Sequence, residues 1–243
     1  MKDFKQEKVI DYGNCDEEER LELPFLVEYM MEVSNKQLDN EHAGINDLME
    51  RGLGWVVLDY DFTIHRLPRA GERVVFTTKA NGYNRIFCYR DFSVEDLAGK
   101  KLVEVRSQWV MLDLATRRVV APDPAWMKEL DNPPLDHLPR FKKARPLREW
   151  DNSQSYSVRY YDLDTNHHLT NSRYFDWIID ALPREFLNTH EPVSLNITFK
   201  KEVKYRQEAQ SLVKIDMEKL TTDHEIRNSN DVAALAKIVW RKN

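Results

Sequence analysis

Apolar residues recur at helical spacing in two stretches of this chain and at period two through most of the rest. Pro24 stands where a first helical turn tolerates it, and Phe25, Leu26, Tyr29, Met30 and Val33 follow every three or four positions. That spacing predicts an amphipathic helix over 24–39. Residues 9–22 before it read as a short strand and a polar turn, and the segment around Gly44, Gly52 and Gly54 after it as irregular. Val56, Leu58, Tyr60, Phe62 and Ile64 then alternate with Val57, Asp59, Asp61, Thr63 and His65, the pattern of a strand with one wet face. Further strands are predicted over 74–80, 85–94 and 101–112, with a hairpin-type turn at Asn81-Gly82, or a longer loop through Tyr83-Asn84, and another connection through Ala98-Gly99-Lys100.

Six of the ten prolines fall between residues 121 and 150, which marks a linker ending in the basic run Arg140-Phe141-Lys142-Lys143-Ala144-Arg145-Pro146-Leu147-Arg148. Beyond it the plan repeats. A strand over 155–161 leads through a polar stretch into a helix over 172–182 with Tyr174, Phe175, Trp177 and Ile178 on its apolar face, stopping near Pro183. Leu195, Ile197 and Phe199 parallel Leu58, Tyr60 and Phe62, and strands near 211–219, 222–228 and 232–241 close the chain. In the last of these, Ala234, Ala236, Ile238 and Trp240 echo the 105–111 strand. The pattern predicts an α+β protein made of two tandem units, each a long helix wrapped by an antiparallel sheet. Their bounds are 1–120 and 151–243, with 121–150 between them.

Composition narrows the class. With 42% hydrophobic and 32% charged residues the chain reads as a soluble globular protein, and a net charge of -5 argues against a generic nucleic-acid binder. No apolar run reaches membrane-span length, and the charged start Met1-Lys2-Asp3-Phe4-Lys5 lacks a secretory signal, so a cytoplasmic location is expected. Cys15 and Cys88 have neither metal-ligand nor disulfide-framework spacing, and Cys88 sits in a strand-like run as a buried hydrophobe.

Candidate chemistry concentrates in Asp162-Leu163-Asp164-Thr165-Asn166-His167-His168-Leu169-Thr170-Asn171. Acids, amides and imidazoles here crowd a helix start, with Asn171 and Ser172 as candidate caps, beside the positive end of a helix dipole. A calcium loop is disfavoured, because His167 stands where a glycine is needed and Arg173 where a bidentate glutamate belongs. The preceding strand alternates and carries Arg159, unlike the buried strand that leads into a phosphotransfer aspartate. Adjacent histidines diverge rather than converge on a zinc ion. No metal or other cofactor is expected.

Taken together, these residues resemble the acyl-acyl carrier protein (acyl-ACP) thioesterases, a family with a double hotdog fold. The resemblance rests on the Asp162–Asn171 segment with Tyr174 and Trp177, similar to the family's Asp-x-Asn-x-His stretch and the helix after it. Tyr205-Arg206-Gln207-Glu208 is similar to its Tyr-Arg-x-Glu signature. Trp55-Val56-Val57 and Trp109-Val110-Met111-Leu112-Asp113 with Thr116-Arg117-Arg118 also match. It implies hydrolysis of acyl-ACP thioesters, with catalytic residues at Asp164, Asn166, His168 and Glu208 and an acyl-chain pocket in the first half. Ala209 stands where many members have a cysteine, so that thiol is not essential to this chain's activity. In the implied chemistry Glu208 is the general base on water, Asn166 orients thioester or water, and His168 donates to the developing oxyanion or shuttles protons. A backbone N–H at the start of the 172–182 helix completes the oxyanion site. Two roles fit Asp164: orienting its neighbours, or attacking directly. The implied partner is an acyl carrier protein bearing an acyl-phosphopantetheine, met by the basic runs at 140–148 and 200–206. A monomer or a homodimer is expected, with no nucleic acid and no membrane involved. The rival readings are an acyl-CoA thioesterase and a non-catalytic acyl-binding protein on the same fold.

Overall fold

Strands whose buried side chains alternate with exposed ones must stack that apolar face on something, and here two helices supply the cover. The computed structural model describes residues 2–165, 167–229 and 231–243. Its first half comprises β1 (Phe4–Val9), α1 (Leu23–Asn40), α2 (Ile45–Glu50), β2 (Leu53–Ile64), β3 (Arg73–Tyr83), β4 (Phe87–Asp96), β5 (Lys101–Asp113) and β6 (Arg118–Val120). Helix α3 (Pro124–Glu129) follows. The second half comprises β7 (Asn152–Ser157), α4 (Asn171–Asp180), α5 (Arg184–Thr189), β8 (His190–Phe199), β9 (Glu208–Asp216), β10 (Thr221–Asn228) and β11 (Asp231–Lys242). One sheet runs in the order β1-β3-β4-β5-β2-β8-β11-β10-β9-β7, with β6 paired to β5. The halves join where β2 and β8 pair antiparallel, with Tyr60 opposite Ile197 and Phe62 opposite Leu195. The strands that the pattern marks as counterparts are thus neighbours.

α1 buries Leu26, Val27, Met30 and Val33, and Tyr29 meets Phe76 of β3 edge-on with ring centroids 5.6 Å apart. On α4, Phe175 is fully buried and lies 6.4 Å from Tyr60 and 5.7 Å from Phe62. Each such side chain contributes about 1.5–3 kcal/mol of burial, which pins α1 against β3 and α4 against β2.

Local structure departs from the pattern in five places, one being the strand expected over 155–161, which runs over Asn152–Ser157 and gives way to a 3-10 turn at Tyr160–Asp162. The first strand is Phe4–Val9, ahead of the 9–22 segment, because β1 pairs with β3 from Phe4 opposite Thr78. The segment around Gly44 folds into α2, whose Asp47 carboxylate accepts from the Gly44 N–H at 3.0 Å. α5 continues the helical path after Pro183 instead of a simple stop. Asn81-Gly82 is not a turn but lies within β3, where the β3–β4 pairing shifts register between Ala80 and Tyr83. The chain turns at Asn84, whose Oδ1 accepts from the N–H groups of Ile86 and Phe87 at 2.8 and 2.7 Å. Gly82 has φ +93°, its N–H donates to Asn132 Oδ1 at 2.7 Å, and a Cβ there would stand 2.4 Å from Leu135 Cγ. Gly82→Ala should therefore cost about 2 to 4 kcal/mol in urea unfolding. A wild-type midpoint would show that Leu135 yields freely.

The proline-rich segment is anchored as well as solvated. Trp126 and Met127 of α3 are buried, and Phe141 stacks on Tyr89 with centroids 6.3 Å apart. The Lys142 carbonyl accepts from Asn196 Nδ2 at 3.4 Å, and the Leu147 N–H donates to Glu225 Oε2 at 2.7 Å. Asn196 lies between the core residues Leu195 and Ile197, so the segment crosses the sheet face opposite the helices. Arg140, Lys142, Lys143, Arg145 and Arg148 are all exposed there.

Candidate active site

The polar stretch folds into a closed turn. The Asp164 N–H donates to the His168 carbonyl at 2.8 Å, and Asp164 Oδ1 accepts from the His168 N–H at 3.2 Å. His167 takes the left-handed conformation between them, φ 65°, and its side chain points to solvent. Asp162 is buried beneath the turn. Burial opposes its ionisation, but the Arg159 guanidinium and N–H outweigh that and hold the carboxyl below its ordinary range. Asn166 lies outside the described residues.

The expected caps are used differently. The N-cap of α4 is Thr170, without a side-chain cap bond, whereas Ser172 Oγ donates to Glu28 Oε1 of α1 at 2.9 Å. Ser172 is recruited across the halves because α1 and α4 lie against each other. Asn171 and Ser172 both line a cavity at this helix start.

That cavity has a volume of about 440 Å3 and lies among α1, α2, β2 and the 164–172 turn. Val27, Met31, Leu38, Leu48 and Trp55 make its walls apolar, while Asp164, His168, Glu202 and Arg117 make one end polar. His168 Nε2 is 3.1 Å from Glu202 Oε2. Arg117, at φ 56° in the turn between β5 and β6, reaches across from the first half and donates through Nη2 to both Glu202 oxygens, at 2.5 and 2.6 Å. Arg90 also lines the cavity, held by Gln37 Oε1 at 2.6 Å and Thr78 Oγ1 at 2.9 Å. Burial lowers its pKa to about 10, which leaves it cationic at neutral pH. Cys88 faces the same space, but burial pushes its thiol up to about 12 and keeps it from acting as a thiolate.

Of the residues expected to act together, Asp164 and His168 do meet at the cavity and Glu208 does not. Glu208 is the first residue of β9, exposed, with its Cα opposite Ser157, and it is absent from the cavity lining. Ala209 beside it faces the core, so Glu208 projects from the other face. Its surroundings repeat the turn that leads into β3. Arg206 takes φ 61° where Gly71 takes 75°, and Gln207 accepts from the Lys204 N–H as Glu72 accepts from that of Arg69. Tyr205-Arg206-Gln207-Glu208 is therefore a strand-entry turn, and the acid beside His168 is Glu202. The signal was present in the sequence, since Phe199-Lys200-Lys201-Glu202 carries the same aromatic, basic, variable, glutamate order. Val203 follows it, so this position too lacks a cysteine.

Two tandem helix-and-sheet units, with one polar turn facing an apolar cavity, define the class as an α+β double hotdog protein. Residues 1–129 match the acyl-ACP thioesterase N-terminal domain and residues 147–242 the acyl-ACP thioesterase C-terminal domain, and the chain belongs to that family. A chloroplastic acyl-[acyl-carrier-protein] hydrolase of Cuphea viscosissima, FATB2, is 28% identical over 193 residues, covering 76% of this chain and 47% of that protein. The oleoyl-acyl carrier protein thioesterase of Coriandrum sativum is 27% identical over 194 residues, covering 75% and 53%. The chain spans about half the length of these curated relatives. Among solved structures, a Lactobacillus plantarum protein provisionally described as an oleoyl thioesterase is 30% identical, with a TM-score of 0.95, over 99% of this chain and 96% of that one. The 12:0-ACP thioesterase of Umbellularia californica has a TM-score of 0.89 at 20% identity over 99% and 98% of the two chains, which shows the shared fold.

Proposed function

We propose that this chain hydrolyses acyl-ACP thioesters to a free fatty acid and the carrier thiol. The observation that carries the reading is the His168–Glu202 pair, closed by Asp164, at the polar end of an apolar cavity. Glu202 takes a proton from water as the water oxygen attacks the thioester carbonyl carbon. The carbonyl oxygen becomes an oxyanion, and His168 and the N–H groups of Asn171 and Ser172 at the positive end of α4 are its donors. Collapse of the intermediate breaks the C–S bond, and the departing sulfur receives the proton that Glu202 accepted, relayed through His168. Asn166 is assigned the orientation of the thioester on the sequence resemblance alone. The hydrogen bond from the His168 N–H to Asp164 Oδ1 supports Asp164 as the positioning residue rather than the nucleophile.

Arg117 fixes the Glu202 carboxylate from the other half of the molecule. Arg117→Gln should lower kcat about tenfold with little change in KM, and Arg117→Lys should recover part of it, as steady-state kinetics will show. An unchanged kcat would leave Arg117 a surface ion pair only.

For the carrier, the exposed Lys200, Lys201, Lys204 and Arg206 follow β8 beside the cavity mouth, and the anchored basic segment adds a second cationic surface. Both suit an acidic protein surface. The pairing of β2 with β8 supplies within one chain the sheet join that a single hotdog makes by dimerising, which supports a monomer or loose dimer. Cys15 and Cys88 are unpaired, in keeping with a reducing, cytoplasmic compartment. Among the described residues no helix is long and apolar enough to cross a membrane.

The test is thiol release from a panel of acyl-ACPs and the matching acyl-CoAs, with His168→Ala as the control. Fast turnover of acyl-ACP that the variant loses is the expected result. A preference for acyl-CoA removes the carrier from the reading, and no turnover of either leaves an acyl-binding protein.

A further inference from the structure

The turn that carries Asp164 and His168 has a twin in the first half, and the twin opens on its own cavity. Cys15 bridges Leu21 as Leu163 bridges Leu169, and Arg20 bridges Arg69 as His168 bridges Lys204. The Asp16 N–H donates to the Arg20 carbonyl at 2.9 Å, and Asp16 Oδ1 accepts from the Arg20 N–H at 2.9 Å, just as Asp164 treats His168. Glu19 takes φ 60° in the place of His167. The Leu21 N–H donates to the Pro68 carbonyl as that of Leu169 donates to Val203, so Leu67 stands where Glu202 stands. A cavity of about 730 Å3 is lined by residues 16, 17 and 20–24, the counterparts of residues 164, 165 and 168–172 around the first cavity.

The chemistry has gone from this copy. Arg20 replaces His168 and spends its guanidinium on fixed partners, Nε on Asp16 Oδ2 at 2.9 Å, Nη1 on the His190 carbonyl at 3.2 Å and Nη2 on the Leu187 carbonyl at 3.1 Å. Leu67 offers no base. The space remains, and so do two buried polar atoms of its lining without a hydrogen-bond partner among the described residues, His190 Nε2 and Arg173 Nε, the latter turned to Asp162 Oδ1 at 3.5 Å. His190 lines the cavity and is only 4% exposed. Its Nδ1 lies 3.0 Å from the Phe186 carbonyl, which can only accept, so Nδ1 carries the proton and Nε2 is a bare acceptor. Among the described residues Nε2 has no hydrogen-bond partner, which in a buried site points to a donor supplied from outside.

Charge selects the ligand. Six carboxylates and three guanidiniums line this cavity. The guanidiniums are engaged, Arg20 with Asp16, Arg159 with Asp162 and Arg173 with Asp176. Asp180 accepts from the Tyr156 hydroxyl at 2.7 Å, and burial, together with Asp176 and Asp16, pushes the Glu22 carboxyl up. Arg173 Nε, which has no hydrogen bond among the described residues, also faces a carboxylate, Asp162 at 3.5 Å, so each guanidinium is matched by an acid. The excess of carboxylates disfavours a carboxylate or phosphate ligand, while the walls between are apolar, with Trp177, Ile179, Leu187 and Trp240. We propose that this second cavity is a non-catalytic site for a linear aliphatic amine, its alkyl chain along the Trp177 and Trp240 walls and its ammonium donating to His190 Nε2 among the carboxylates.

The site is tested without turnover and so independently of the thioesterase reading. Calorimetric titration of the full chain with octylammonium chloride should show saturable binding of one equivalent, weakened at least tenfold in His190→Phe and in Glu22→Gln. Hydrolysis should stay at the wild-type rate in Glu22→Gln, whose folding is checked by circular dichroism alongside that of His190→Phe. Unchanged affinity in either folded variant overturns the proposal. Displacement of the amine by octanoate also overturns it, because that places the amine in the first cavity, and equal affinity for 1-octanol rejects a cationic ligand.

Discussion

Glu202→Gln is expected to lower kcat for acyl-ACP hydrolysis by about 10^2- to 10^4-fold with KM nearly unchanged, the range for loss of a positioned general base. Glu208→Gln should stay within about twofold of wild type. The contrast follows from geometry: Glu202 lies 3.1 Å from His168 Nε2 and lines the cavity, whereas Glu208 opens β9 on the exposed face, opposite Ser157. Both side chains are exposed, so neither variant should lose much thermal stability, and a drop in rate can be read as lost chemistry. Initial rates on one good acyl-ACP substrate, with melting curves for both proteins, settle the matter. The reverse result, an inactive Glu208→Gln and an active Glu202→Gln, would return the base to the Tyr205–Glu208 signature and require that turn to rearrange when substrate binds.

A second large effect concerns acid stability. His224 of β10 is fully buried, its Nε2 2.7 Å from Thr222 Oγ1, and the same hydroxyl oxygen accepts from Trp240 Nε1 at 2.9 Å. Burial pushes its pKa down from 6.5 to about 3. The unfolded chain takes up this proton near pH 6.5 and the folded chain only near 3, so between those values the unfolded state binds more protons and stability falls as pH falls. Above pH 6.5 the term is flat. At pH 4.5 the loss relative to pH 7.5 should be roughly 2 to 3 kcal/mol from this residue. His224→Leu disturbs packing at every pH, but the difference between its urea midpoints at the two pH values should shrink by that amount. The same pH dependence in wild type and variant would assign the acid sensitivity to other groups.

Much of this molecule could be read along the chain. The helix predicted over 24–39 is Leu23–Asn40, and the alternations through Tyr60 and Ile197 are strands of one sheet. The polar stretch does precede a helix and does face a cavity with Asp164 and His168. Each of these rests on short-range periodicity or on a motif contained in a few residues. Asn81-Gly82 shows where such signals fail, because the dipeptide suits a turn and a bulged strand equally well. It is the Asn132 side chain and the crowding of Leu135, both far along the chain, that place Gly82 in β3.

The sequence by itself determined the duplicated helix-and-sheet plan, the helices and most strands, and the turn that bears His168, because burial periodicity and turn chemistry act over a few residues. Only the tertiary structure decided which glutamate lies beside His168, that Arg117 crosses from the first half to hold it, that Ser172 bonds Glu28 instead of capping its own helix, and that a second cavity lies behind the twin turn. Periodicity tells which face of a strand is buried, but not which loop ends meet. That depends on the register of paired strands and on bonds such as Leu169 N–H to the Val203 carbonyl, which bring residues distant in the chain to one point.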